Sequence, residues 1–170
     1  LQADASAGLR RSVMYAVGGV VEPEGGKTNQ LVGGMAVNAE FFAMFDAPFQ
    51  YGQGWDAAAD EGPQPVVVLS DETNAKVFGG ENSVGRELQI RRVAMRVVGV
   101  LADWRPVPHY YDLTIGNYDP AEDVYLPFST AMELEFGTSG NMDCWGNTGG
   151  ISARDLNSPC SWIQYWVELE

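Results

Sequence analysis

The stretch PVVVLSDETNAKVFGGENSVGRELQIRRVAMRVVGVLADW, residues 65–104, decides the fold class. Its opening, residues 65–69, is a nearly continuous apolar run. It is too short for a helix and reads as a buried strand. Ser70 is a good helix N-cap, and Asp71 and Glu72 suit the positive N-terminal end of a helix over 71–78. Gly79 and Gly80 stop that helix. Two strands follow over 87–92 and 93–101. Leu88 and Ile90 alternate with polar neighbours, and Val93, Met95, Val97 and Val98 lead into Gly99, Val100 and Leu101.

Upstream, residues 12–21 alternate as a strand, with Val13, Tyr15 and Val17 on one side and Met14 and Ala16 on the other. A Pro- and Gly-containing turn at 22–26 leads to a second strand over 31–37, paired with the first as a hairpin. Asn38 is expected to cap a short helix whose apolar face is Phe41, Phe42 and Phe45 and which Pro48 ends. Residues 50–64 read as a loop. Downstream, 103–123 (DWRPVPHYYDLTIGNYDPAED) is a long aromatic, Pro-rich loop, and such loops are usually functional or pinned. A strand over 124–127, a short helix over 128–135 and a final strand over 161–169 complete the chain. Short strands with short helices between them give an α+β class with mixed or antiparallel pairing.

The chain has 170 residues, enough for one domain or two small lobes, and its 45% apolar content supplies a core. Acids outnumber bases 23 to 10, a net charge of −13. Nucleic acid is excluded as a partner, because phosphate binding needs clustered Lys and Arg. A polybasic membrane anchor is excluded on the same ground. No stretch approaches the roughly 18–20 apolar residues of a membrane helix. With no initiating Met and no leader, the sequence is expected to be a mature or excised piece. Leu169 and Glu170 could be native or the start of a tag.

Cys144 and Cys160 are the only cysteines. Two buried free thiols are one reading. The favoured one is a disulfide, since the Gly-, Asn- and Ser-rich segment between them has little apolar content to hold it. Closing a loop of that size stabilises a fold by roughly 3 kcal/mol and implies an oxidising compartment.

Catalytic constellations are few. There is no G-x-S-x-G, no P-loop ending and no C-x-x-C. His109, the single histidine, reads as a surface-loop residue rather than a metal ligand or base. Asp119, Glu122 and Asp123 lack EF-hand spacing and read as a solvated acidic cluster. Trp104, Trp145, Trp162 and Trp166 could form a stacking platform. The alternation of Trp162 and Trp166 favours a packed sheet face instead. No catalytic residue, cofactor or metal is expected.

Residues 65–104 resemble the extracytoplasmic core domain of MacB-type, FtsX-like ABC transporter permeases. The resemblance rests on the apolar strand with Leu-Ser at Leu69-Ser70, Phe78-Gly79, the turn Asn82–Gly85, and Val97–Val100 ending a strand. AEFFAMFDAPFQYGQGW (39–55) and EDVYLPFSTA (122–131) are similar to flanking family segments, in the same order. The resemblance implies a periplasmic domain of two small lobes, porter-like and inserted, the inserted one at about 65–130. The parent protein would be embedded in the bacterial inner membrane, with ATP hydrolysed by a separate ATP-binding subunit. It further implies a non-catalytic role that engages substrate, a second permease copy or a periplasmic partner protein. The chain is shorter than a full family domain, so part of the first lobe is expected to be missing. The expected contact loop carries Trp104, Arg105, His109, Tyr110 and Tyr111, whose aromatics could anchor a partner or tuck back onto the core. The alternative function is a secreted module binding sugar or peptide through exposed Trp and Tyr.

Overall fold

The first strand, β1 (Arg11–Glu22), organises the rest. The computed structural model describes residues 9–22, 29–114, 116, 118–140, 142–146, 155 and 157–169. The lead-in before residue 9, the turn at 23–28, most of the segment between the cysteines, and Glu170 lie outside the described residues.

Along the chain follow β2 (Gln30–Val37), α1 (Phe41–Met44), β3 (Phe49–Gly52), α2 (Ala58–Glu61), β4 (Val66–Leu69) and α3 (Asp71–Phe78). Then come β5 (Glu87–Ile90), β6 (Val93–Leu101), β7 (Val124–Pro127), α4 (Phe128–Glu133), β8 (Asp143–Cys144), β9 (Cys160–Ser161) and β10 (Gln164–Val167). The main sheet runs β10-β1-β2-β7-β4-β6-β3, and β5 pairs with both β1 and β6. Six strands therefore close into a ring, β1-β2-β7-β4-β6-β5, with β10 and β3 added outside it. Most pairs are antiparallel; β2–β7 and β4–β6 are parallel. The α+β expectation holds. The stretch 65–130 supplies β4 to β7, of which β5 pairs with β1 and β7 with β2.

Side-chain alternation sends two cores to the two faces of the ring. Tyr15, Val17, Val32, Val67, Leu88, Met95, Val97 and Leu126 fill one cluster, to which every ring strand contributes. Val77 and Phe78 of α3 and Ala131 of α4 complete it. Met14, Met35, Val37, Val66, Val68 and Tyr125 face the other way, against Phe41, Phe42 and Phe45. Each fully buried Val, Met or Phe contributes about 1.5–3 kcal/mol. Gly34 is required where β2 meets β7, since a Cβ there would lie 2.8 Å from Val124 Cγ2 and 3.2 Å from Val17 Cγ2.

Local signals around α3 are realised. The Ser70 hydroxyl accepts from Thr73 N–H at 3.1 Å, and Gly79 ends the helix at φ 80°. Asn38 behaves differently from expectation. Its side chain bridges to β1, accepting from Val13 N–H at 3.3 Å and donating to Arg11 O at 2.8 Å, and so does not cap α1. The expected loop over 50–64 contains β3 and α2. β3 is interrupted by a bulge and ends at Gly52, φ 65°, which hides its alternation. β5 and β6 are joined by a two-residue turn of Arg91 and Arg92, at φ 52° and 68°. Turns of this kind favour Asn-Gly, and a left-handed conformation costs a residue with a Cβ roughly 1–2 kcal/mol.

Candidate functional site

The long loop joining β6 to β7 folds inward rather than outward. Tyr111 is fully buried, its ring stacked on Trp104 at 4.9 Å and 11° and meeting Phe41 edge-on at 5.6 Å. The Tyr111 hydroxyl donates to Glu122 Oε2, which also accepts from the Tyr125 hydroxyl of β7 at 3.0 Å. His109 packs its ring edge-on against Tyr111 at 4.4 Å. Its Nε2 lies 3.4 Å from Glu122 Oε2, outside hydrogen-bond geometry, and His109 is only 2% exposed. His109 is therefore a core residue and not the surface-loop histidine expected. Glu122 likewise leaves the expected solvated acidic cluster, because its carboxylate is the acceptor for two buried phenols.

The electrostatics follow from this burial. Desolvation pushes the His109 pKa down, but the carboxylates of Glu122, Asp112 and Asp119 outweigh it and hold the imidazolium above its usual range. Tyr111 and Tyr125 are both pushed well up, first by burial and then by the negative charge of Glu122.

The far end of the loop is held by β10. Asp112 Oδ1 accepts from Gln164 Nε2 at 2.7 Å and from Thr114 N–H at 2.8 Å. Gln164 Oε1 accepts from Leu113 N–H at 2.7 Å, and Trp166 Nε1 donates to Tyr111 O at 3.1 Å. Asp123 ties the loop's exit to two further elements. Its carboxylate accepts from Gly33 N–H of β2 at 3.0 Å and from the Thr73 hydroxyl of α3 at 3.0 Å.

The structure thus divides the expected contact set. Tyr111 and His109 face inward and are buried, and Trp104 is half-buried against Tyr111. Tyr110 remains exposed, at 48%. Arg105 is also exposed and leans on acids, at 2.9 Å from Asp103, 3.4 Å from Glu72 and 3.7 Å from Asp71. Between it and the start of α3 lies a cleft of about 400 Å³. Sequence reasoning missed the rest of the outer surface: Val107, Leu113 and Tyr118, each at least 70% exposed. No periodic signal marks these residues. Only their place in a loop too long to be structureless pointed to them.

The tryptophans do not converge. Trp162 sits in the first core, edge-on to Tyr15 at 5.2 Å, while Trp166 packs on the second, 5.9 Å from Phe45. The expected shared face fails because β10 begins only at Gln164, so the alternation does not extend back to Trp162. Trp145 is exposed beside the cysteines. Cys144 and Cys160 form a disulfide, directly opposite each other in the β8–β9 pair. Among the described residues, no three His, Cys, Asp or Glu side chains converge on a metal-sized site.

Comparison with known proteins agrees with this architecture. The family model described as "MacB-like periplasmic core domain" matches residues 2–159. Among curated proteins, the pyoverdine export ATP-binding/permease protein PvdT of Pseudomonas aeruginosa is 28% identical over 101 residues. That match covers 59% of this chain and 14% of PvdT, so the chain corresponds to a small part of that longer protein. PvdT of Pseudomonas syringae pv. tomato matches at 28% over 102 residues, again 14% of its length. Among solved structures, the periplasmic region of MacB from Actinobacillus actinomycetemcomitans superposes with a TM-score of 0.58. It is 17% identical, covering 75% of this chain and 52% of that one. The extracellular domain of the ABC-type transporter YknZ from Gram-positive bacteria gives 0.57 at 12% identity, covering 73% and 57%. A permease-protein domain from Porphyromonas gingivalis gives 0.56 at 16% identity, covering 94% and 60%. With the match spanning nearly its whole length, this chain belongs to the MacB-like periplasmic core domain family, the part of an ABC transporter permease on the periplasmic side of the membrane.

Proposed function

We propose that this domain is a non-catalytic contact module. It engages a periplasmic partner or substrate through the outer surface of the 103–123 loop and moves with ATP hydrolysis by a separate ATP-binding component. One observation carries the reading. Val107, Tyr110, Leu113 and Tyr118 are exposed on a loop whose inner side is locked by Tyr111, Glu122, Asp112 and Gln164. Large side chains held out by a rigid base lose little freedom on docking, which is the character of an interface anchor. An ATP-binding component is supported by the relatives, whose names join ATP-binding and permease parts. The alternative of a secreted module with a tryptophan platform is less well supported, because Trp162 packs into one core while Trp104 and Trp166 pack against the other, around Tyr111.

The test is Tyr110→Asp with Leu113→Asp in the complete parent transporter, reconstituted with its partners. The expected result is loss of transport with an unchanged thermal melt of the isolated domain. Wild-type transport by this variant would overturn the proposal.

A further inference from the structure

The cleft beside Arg105 has two walls of different charge. On the α3 wall, Asp71 and Glu72 are matched by two bases. Lys76 lies 2.6 Å from Glu72, and Arg105 lies 3.4 Å from Glu72 and 3.7 Å from Asp71. On the loop wall, Asp119, Glu122 and Asp123 stand against His109 alone. Among the described residues, only neutral donors bond to the two outer carboxylates. Asp119 accepts from Gly116 N–H at 2.7 Å, and Asp123 from Gly33 N–H and the Thr73 hydroxyl. The loop wall therefore keeps excess negative charge even with an imidazolium counted.

An acidic rim is ordinarily just solvated, but this one adjoins an unmet acceptor. Glu122 lines the cleft yet is only 7% exposed. Its Oε2 serves Tyr111 and Tyr125, while its Oε1 has no hydrogen-bond donor. Neither ring nitrogen of buried His109 has a hydrogen-bond partner either. Buried polar atoms are nearly always satisfied, so an unmet one points to a missing group. For an ionised carboxylate that group must be a donor. Trp104, Pro106, Val107 and Pro120 give the same cleft apolar lining. Its volume of about 400 Å³ falls within the range of ligand pockets, about 300–1,000 Å³. A positive donor head on an apolar stem matches these walls. A guanidinium matches them best, because its planar fork can meet two carboxylates at once and an indole favours a cation beside it.

We propose that this cleft receives an arginine side chain of the partner protein, its guanidinium between Asp119 and Glu122 and its stem along Trp104 and Pro120. The inference rests on the reading of the 103–123 loop as the contact surface. Val107, 70% exposed, belongs to both, so a chain docked on the loop can send a side chain inward.

The experiment titrates the full chain at low salt, where charge contacts are least screened. The probe is a blocked peptide of one arginine flanked by two valines on each side, followed by NMR at the Trp104 indole N–H. Controls are the same peptide with citrulline for arginine, a neutral isostere, and free agmatine. Glu122→Gln keeps an acceptor for the two phenols, and Asp119→Asn keeps one for Gly116 N–H on the exposed rim. Expected is a saturable shift with the arginine peptide, with at least about tenfold weaker binding of the citrulline peptide and of Glu122→Gln. Asp119→Asn should bind about threefold more weakly. Absence of binding, equal binding of the citrulline peptide, or wild-type binding by both variants would overturn the proposal. So would agmatine binding as tightly as the peptide, because the occupant would then be a free small molecule. The two readings fail separately. No arginine-peptide binding together with lost transport in Tyr110→Asp/Leu113→Asp removes this inference and leaves the loop as the contact surface.

Discussion

His109 Nε2 lies 3.4 Å from Glu122 Oε2, and both side chains are buried beneath the loop that carries them. The relationship has a defined pH sense. The folded pKa of His109 is raised above its unfolded value of about 6.5. The stability from this pair is therefore fully present below about pH 6.5 and lost as pH rises through the folded value. Thermal melts across that range should show the wild type losing more stability on alkalinisation than His109→Gln. Parallel pH curves for the two proteins would reject the assignment.

The phenols of Tyr111 and Tyr125 should be silent in alkaline titration of the folded protein. Burial and the Glu122 charge both oppose ionisation, so neither phenolate forms until the chain unfolds. Tyr111→Phe/Tyr125→Phe should superpose on the wild type in an absorbance titration at every pH where both are folded. A wild-type step missing from the double variant would contradict the buried arrangement.

Cys144 and Cys160 have Cα atoms 4.0 Å apart, and the β8–β9 pair they join forms a sheet separate from the main one. Reduction, or Cys144→Ser, should lower the melting temperature, with a loss of up to roughly 3 kcal/mol. Hydrogen-exchange protection of β2, β4, β6 and β7 should persist. An unchanged melting temperature under reductant would show that the link contributes nothing to stability.

Neighbouring glycines in β2 should respond differently to alanine. Gly34→Ala places a methyl against Val124 and its carbonyl oxygen, 3.0 Å away, and should cost about 1–3 kcal/mol. Gly33→Ala meets nothing within 4 Å and should be close to neutral. Urea melts of the two variants separate a packing requirement from general loss of glycine.

Legibility in the sequence followed the range of the interaction. Ser70, Gly79 and the apolar run of β4 act within a few residues, so α3 and its flanks could be read directly. The ring could not, because its closure depends on Val21 meeting Ile90 and Glu22 meeting Gln89, pairings that no local pattern encodes. Asn38 failed as a cap because β1, distant in sequence, offered its side chain two backbone partners. The same holds for the loop. Its length marked it as special, but the inward turn of His109 and Tyr111 is set by Glu122, Tyr125 and Gln164, which reach it from β7, β10 and the loop's own far end. The outer residues Leu113 and Tyr118 then take their exposure from that inward packing.

The pairing of β1 with β10 gives the domain a mechanical direction. Arg11 lies opposite Val167, so the first and last described strands enter and leave at one place, fastened by four residue pairs. A displacement shared by both strand ends carries the domain as a rigid load. A displacement that parts them peels β10 from β1 one pair at a time, like a zip. Because Gln164 and Trp166 of that strand grip Asp112, Leu113 and Tyr111, the peeling also releases the far end of the loop. Tension at the ends and the shape of the outer surface are thereby joined through one short strand.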